Sequence, residues 1–127
     1  VSDMRNPLGR ARGLGSAKAG TGHWWMQRLT ALALVVLSVW FLITVLGLLH
    51  ADYPTALATL ARPWNAVLMV AFTTAMFWHA QLGLQVVIED YVHTRWLETF
   101  LVVLVKLLAV LSVIAAALAV VRIALGH

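Results

Sequence analysis

Apolar residues in this chain fall into three long blocks rather than a repeating stripe. No charged residue occurs between Arg28 and Asp52, or between Arg62 and Glu89. The third block, "LETFLVVLVKLLAVLSVIAAALAVVRIAL", runs from Leu97 to Leu125 and holds Lys106 and Arg122. A helix needs about 20 apolar residues to cross a hydrocarbon core roughly 30 Å thick, and each block is at least that long. Helices of a soluble domain carry a polar face, which these blocks lack. In lipid the backbone must satisfy its own polar groups, which leaves helices and closed barrels. Three segments cannot close a barrel, and period-two alternation is absent. The pattern therefore predicts an all-α membrane protein. Its basic N-terminal arm covers residues 1–28, and its three-helix transmembrane domain covers 29–127, with spans at about 29–50, 64–89 and 97–125.

The connections are short. "HADYPTALATLARP" joins the first two spans, with Pro54 and Pro63 as breakers, and "EDYVHTRW" joins the second and third. Arg5, Arg10, Arg12, Lys18 and Arg28 precede the first apolar run, and Arg95 lies in the second connection. Only Arg62 and Arg122 fall on the other side. The positive-inside rule then puts the N-terminus and the second connection in the cytoplasm. Trp24, Trp25, Trp64 and Trp96 flank the spans as an aromatic belt. The N-terminal polar region is too long for a cleavable signal peptide, and the apolar run after it is long enough to span. The segment "GLGSAKAGTG" lacks the Gly-Lys-Ser/Thr ending of a phosphate-binding loop. No internal repeat is found.

Composition sharpens this picture. Of 127 residues, 62% are hydrophobic and 11% charged, where a soluble domain has about a quarter charged. The absence of cysteine excludes disulfides, zinc–thiolate sites and iron–sulfur ligation by this chain. The net charge of +4 is concentrated in the arm. Nothing aromatic interleaves those charges before Trp24, so the arm reads as a topology signal rather than a nucleic-acid site.

The chemistry lies in the few polar residues that the spans tolerate. His79 stands ten residues before Glu89, about 15 Å along a helix and half of the hydrocarbon core. An imidazole there needs partners. One reading is an interhelical hydrogen bond to a Ser or Thr. The other is ligation of a metal or haem iron, which neutral imidazole performs more often than any other side chain. His79, Gly83, Val86 and Asp90 are spaced by 4, 3 and 4, which puts them on one helix face if the helix persists that far. Gly83 removes bulk beside the histidine, where a flat ring or a close helix would fit. No second histidine shares the depth of His79, so a six-coordinate haem would take its other ligand from another chain. At the cytoplasmic end, Arg28 and His23 can meet anionic groups such as haem propionates or lipid phosphates. Tyr91 can donate to a quinone carbonyl, and Asp90 can orient a neighbouring arginine. Each of these would also pass as a solvated helix end.

"HAQLGLQVVIEDY" together with "GHWWMQRLTA" resembles the smaller of the two hydrophobic membrane anchors of bacterial succinate dehydrogenase (succinate:quinone oxidoreductase, respiratory complex II). His79, Gly83, Asp90 and Tyr91 match that family's spacing, Arg28 matches its arginine at the first helix, and the arm "GSAKAGTGHWWMQR" is similar to the alphaproteobacterial branch. The resemblance implies packing with a partner, the larger anchor, into a bigger helical bundle. It implies that His79 is one axial ligand of a shared haem b, with Arg28, and less directly His23, at a propionate. It implies that Tyr91 bonds the ubiquinone headgroup, with Asp90 holding a basic residue of the larger anchor. FAD and iron–sulfur clusters belong to the flavoprotein and iron–sulfur subunits, which this chain would tether in the bacterial cytoplasmic membrane. The dehydrogenase chemistry would lie elsewhere, with the quinone-reducing site shared. Lys106 matches nothing in the family pattern, and its expected behaviour is snorkelling to the cytoplasmic interface. The alternatives are a haem-free structural anchor of another respiratory complex, or a transporter component. The second lacks mid-helix acids and broken helices.

Overall fold

The computed structural model describes residues 19–126. Arg5, Arg10, Arg12 and Lys18 of the basic arm lie outside the described residues. Four helices follow in order: α1 (Ala19–Gly47), α2 (Tyr53–Ala61), α3 (Pro63–Tyr91) and α4 (Arg95–Leu125). Helices α1, α3 and α4 are long and apolar enough to cross a membrane. The chain is an all-α protein with three transmembrane helices.

Helix α1 begins ten residues before Leu29, the expected start of the first span. Charge marks where hydrocarbon ends, whereas a helix satisfies its own backbone and continues into the headgroup layer. His23, Trp24, Trp25, Gln27 and Arg28 therefore stand on helical turns rather than on an extended arm.

The first connection is also more ordered than its prolines suggest. Asp52 caps α2 by accepting from the Thr55 backbone N–H at 3.0 Å, and its hydrogen bonds with Thr55 hold its carboxyl below the ordinary carboxylate value. Pro54 sits in the first turn of α2, where a missing N–H costs nothing. Pro63 opens α3 in the same manner. Arg62 alone separates the two helices, at φ −58 and ψ 131, the extended conformation favoured before proline. Asn65 Nδ2 donates to the Thr59 carbonyl at 2.9 Å and ties the two together. Helix α4 stops at Gly126, whose φ of 80 is the left-handed cap that glycine accepts without strain.

Helix α3 is the spine. It packs against α1 on one side and α4 on the other, and α1 and α4 make no contact with each other. Phe41 of α1 stacks on Phe72 of α3, with centroids 4.7 Å apart. Only Thr30, Gln81, Leu82 and Ala109 are buried among the described residues, and two of these are polar. That is the opposite of a soluble core. Lipid is as apolar as leucine, so large side chains face outward and polar groups collect where helices touch.

Candidate functional site

Helix α3 continues unbroken through Tyr91, so the spacing of His79, Gly83, Val86 and Asp90 does place them on one face. His79 lies twelve residues, about 18 Å, before the end of the helix. Its Nδ1 is 3.1 Å from Thr30 Oγ1 on α1. The Thr30 hydroxyl lies 2.8 Å from the Met26 carbonyl and 3.1 Å from that of Gln27. The distance to Nδ1 fits either ring tautomer; with the hydroxyl proton kept within α1, the Thr30 oxygen accepts from His79. That assignment puts the imidazole proton on Nδ1 and leaves a lone pair on Nε2. The interhelical bond to a threonine is present, and it uses only one of the two nitrogens.

His79 lines an open groove of ≈ 450 Å³ between α1 and α3, together with His23, Trp24, Gln27, Arg28, Ala31 and Val86. The Arg28 guanidinium lies 5.2 Å from the centroid of the Trp24 ring, and this cation–π contact holds it at the rim. His23 Nε2 and Gln27 Oε1 are buried with no hydrogen-bond partner among the described residues. Each such group costs on the order of 1–3 kcal/mol if left so, so the groove asks for an occupant with polar edges. A Cβ added at Gly83 would meet nothing within 4 Å. Packing inside this chain does not require that glycine, and the space beside it opens outward.

The structure thus brings His79, Arg28 and His23 to one groove. It does not bring Asp90 or Tyr91 there. Both are exposed at the end of α3, Tyr91 at 78%. No cluster of three or more His, Asp or Glu that could hold a metal ion occurs among the described residues. A metal held by this part of the chain would need ligands from elsewhere. Thr30, Gln27 and Trp24 enter the site without being singled out for it by sequence. Thr30 has a positional signal: it lies eleven residues from the start of α1, as His79 lies twelve from the end of the antiparallel α3, so the two share a depth.

The family model for the transmembrane subunit of succinate dehydrogenase and fumarate reductase matches residues 2–121. The chain belongs to that family. It is 40% identical over 114 residues to the succinate dehydrogenase hydrophobic membrane anchor subunit of Rickettsia bellii, covering 89% of this chain and 90% of the relative. The corresponding anchor of Rickettsia conorii is 33% identical over 116 residues, 91% of this chain and 92% of the relative. That of Paracoccus denitrificans is 35% identical over 85 residues, 67% of this chain and 66% of the relative. No solved structure matches. The membrane-anchor kinship and its alphaproteobacterial character, expected from the motifs around His79 and Arg28, are borne out.

Proposed function

We propose that this chain is the hydrophobic anchor of a succinate:quinone oxidoreductase and holds one side of a haem b. The observation that carries this reading is the Thr30–His79 contact, which engages Nδ1 and leaves Nε2 for a groove whose walls hold unpartnered polar atoms. In this reading Nε2 would hold the haem iron, with a further ligand coming from the larger anchor. Arg28, held over Trp24, and His23 would meet the propionates, and the open space at Gly83 would leave room for the group. When bound, the haem supplies a one-electron redox centre at that depth. Asp90 and Tyr91, exposed at the end of α3, stand at the boundary where a ubiquinone headgroup would meet the iron–sulfur subunit. Asp90 is free there to hold a basic residue of the larger anchor. The charge bias supports a cytoplasmic side for this end, in a bacterial inner membrane. The flavoprotein and iron–sulfur subunits would dock on that side, beside the basic arm of residues 1–28. A haem-free anchor would account for the Thr30–His79 bond but leaves His23 and Gln27 without partners.

Affinity purification of the chain from native membranes in mild detergent should recover a flavoprotein, an iron–sulfur protein and a second anchor in equal amounts. Recovery with other soluble partners, or alone, would refute the assignment.

Thr30 acts in this reading as a positioning residue. By accepting from Nδ1–H it makes Nε2 more basic and favours the ferric ion. Thr30→Val should raise the haem midpoint potential in a redox titration, and Thr30→Ser should restore it. An unchanged potential in the valine variant would show that another group holds Nδ1.

A further inference from the structure

Because α1 and α4 each pack on α3 and do not meet, α3 floors an open cleft between them. At the end where α1 begins, the cleft widens to a cavity of ≈ 510 Å³. Its polar wall comes from all three helices: His23 of α1, Gln81, Gln85 and Glu89 of α3, and Lys106 of α4. The α3 residues that line it centre about 100° round the helix from His79.

The wall is ordered. Gln81 Nε2 donates to Gln85 Oε1 at 2.9 Å, and Gln85 Nε2 donates to Glu89 Oε1 at 2.9 Å. Gln81 is only 1% exposed, yet its Oε1 has no partner among the described residues. Lys106 does not pair with Glu89 within 4.0 Å. The cavity therefore holds one cation and one anion beside an amide oxygen with unused capacity.

Depth decides what fits. The 29 residues of α3 span about 43 Å, close to the 40–45 Å of a bilayer with its headgroups. Glu89, two residues from the end of α3, stands in the outer headgroup layer. Lys106 lies eleven residues into α4, about 16 Å along it, and its side chain leans back toward the N-terminal end. Fully extended, it brings its ammonium to within about 4 Å of the inner edge of the headgroup layer, so the positive group is deep and the negative one shallow. An ethanolamine phospholipid has the complementary order, with the phosphate next to the glycerol and the primary ammonium at the outer tip. A choline headgroup has no N–H to donate to Glu89. A glycerol headgroup offers Glu89 no cation, and a partner helix would have to bury both charges, at a cost.

We propose that the cleft between α1 and α4 is a binding site for one ethanolamine phospholipid, with its phosphate on Lys106 and its ammonium on Glu89. The test uses the whole complex, washed extensively in mild detergent, with retained lipid measured by mass spectrometry. Ethanolamine lipid should be retained in equal amount with the chain. Retention should fall about tenfold in both Lys106→Gln and Glu89→Gln, the scale of one lost charge-assisted hydrogen bond, and should persist in Lys106→Arg. A second measurement needs no variant: the delipidated wild-type complex should gain thermal stability from ethanolamine lipid and not from choline or glycerol lipid. Preferential retention of an anionic lipid, retention indifferent to both glutamine substitutions, a cavity that keeps no lipid, or equal stabilisation by all three headgroups would overturn the proposal.

Discussion

Replacing His79 with alanine should abolish the b-type band in the reduced-minus-oxidised spectrum of the purified complex. The effect is large because the groove offers no substitute ligand: His23 is the other histidine lining it, and it stands on α1 at the N-terminal end rather than at mid-membrane. The variant should still insert and assemble. Thr30 retains its bonds to Met26 and Gln27 when the imidazole is gone, so no buried hydroxyl is orphaned. The substitution also leaves a gap of imidazole size in front of Thr30. Added imidazole should enter that gap, present its own N–H to Thr30 and restore part of the band. An intact band in the alanine variant would end the ligand assignment, whereas loss of assembly without imidazole rescue would point to a purely structural histidine.

Replacing Tyr91 with phenylalanine should lower quinone reduction by roughly tenfold, the scale of one hydrogen bond to a polarised carbonyl. Oxidation of succinate with an artificial acceptor should stay near the wild-type rate, because that chemistry would belong to the soluble partners. Folding should be little affected, since Tyr91 is 78% exposed and surface substitutions usually change stability by less than about 0.5 kcal/mol. Equal loss of both activities would indicate a docking or assembly defect and would remove Tyr91 from the quinone site.

The three spans are legible in the sequence because lipid imposes a length and forbids charge, and the gaps from Arg28 to Asp52 and from Arg62 to Glu89 report both constraints directly. The helix ends are not legible in the same way. At Ala19 and around Pro54, helix forms in the interfacial layer, where water can share the work of satisfying the backbone and composition no longer discriminates. Pro54 and Pro63 read as breakers, yet each stands in a first turn, where proline starts a helix. The histidine stands out because its surroundings are apolar, whereas its partner does not. Thr30 is an ordinary residue for a membrane helix, and only the depth match across antiparallel helices gives it meaning. The Gln81–Gln85–Glu89 ladder is hard to read from sequence for a similar reason. Glutamine at every fourth position interrupts hydropathy only weakly, and its significance depends on Lys106 arriving from a different helix.

The separation of α1 from α4 also bears on how the chain is made. Every residue lining the His79 groove comes from α1 or α3, and the last of them is Val86. Chains emerge from the ribosome amino end first. The groove can therefore form before α4 has packed on the spine. The cleft that α4 completes comes later, so the order of the chain is also an order of maturation for its two cavities.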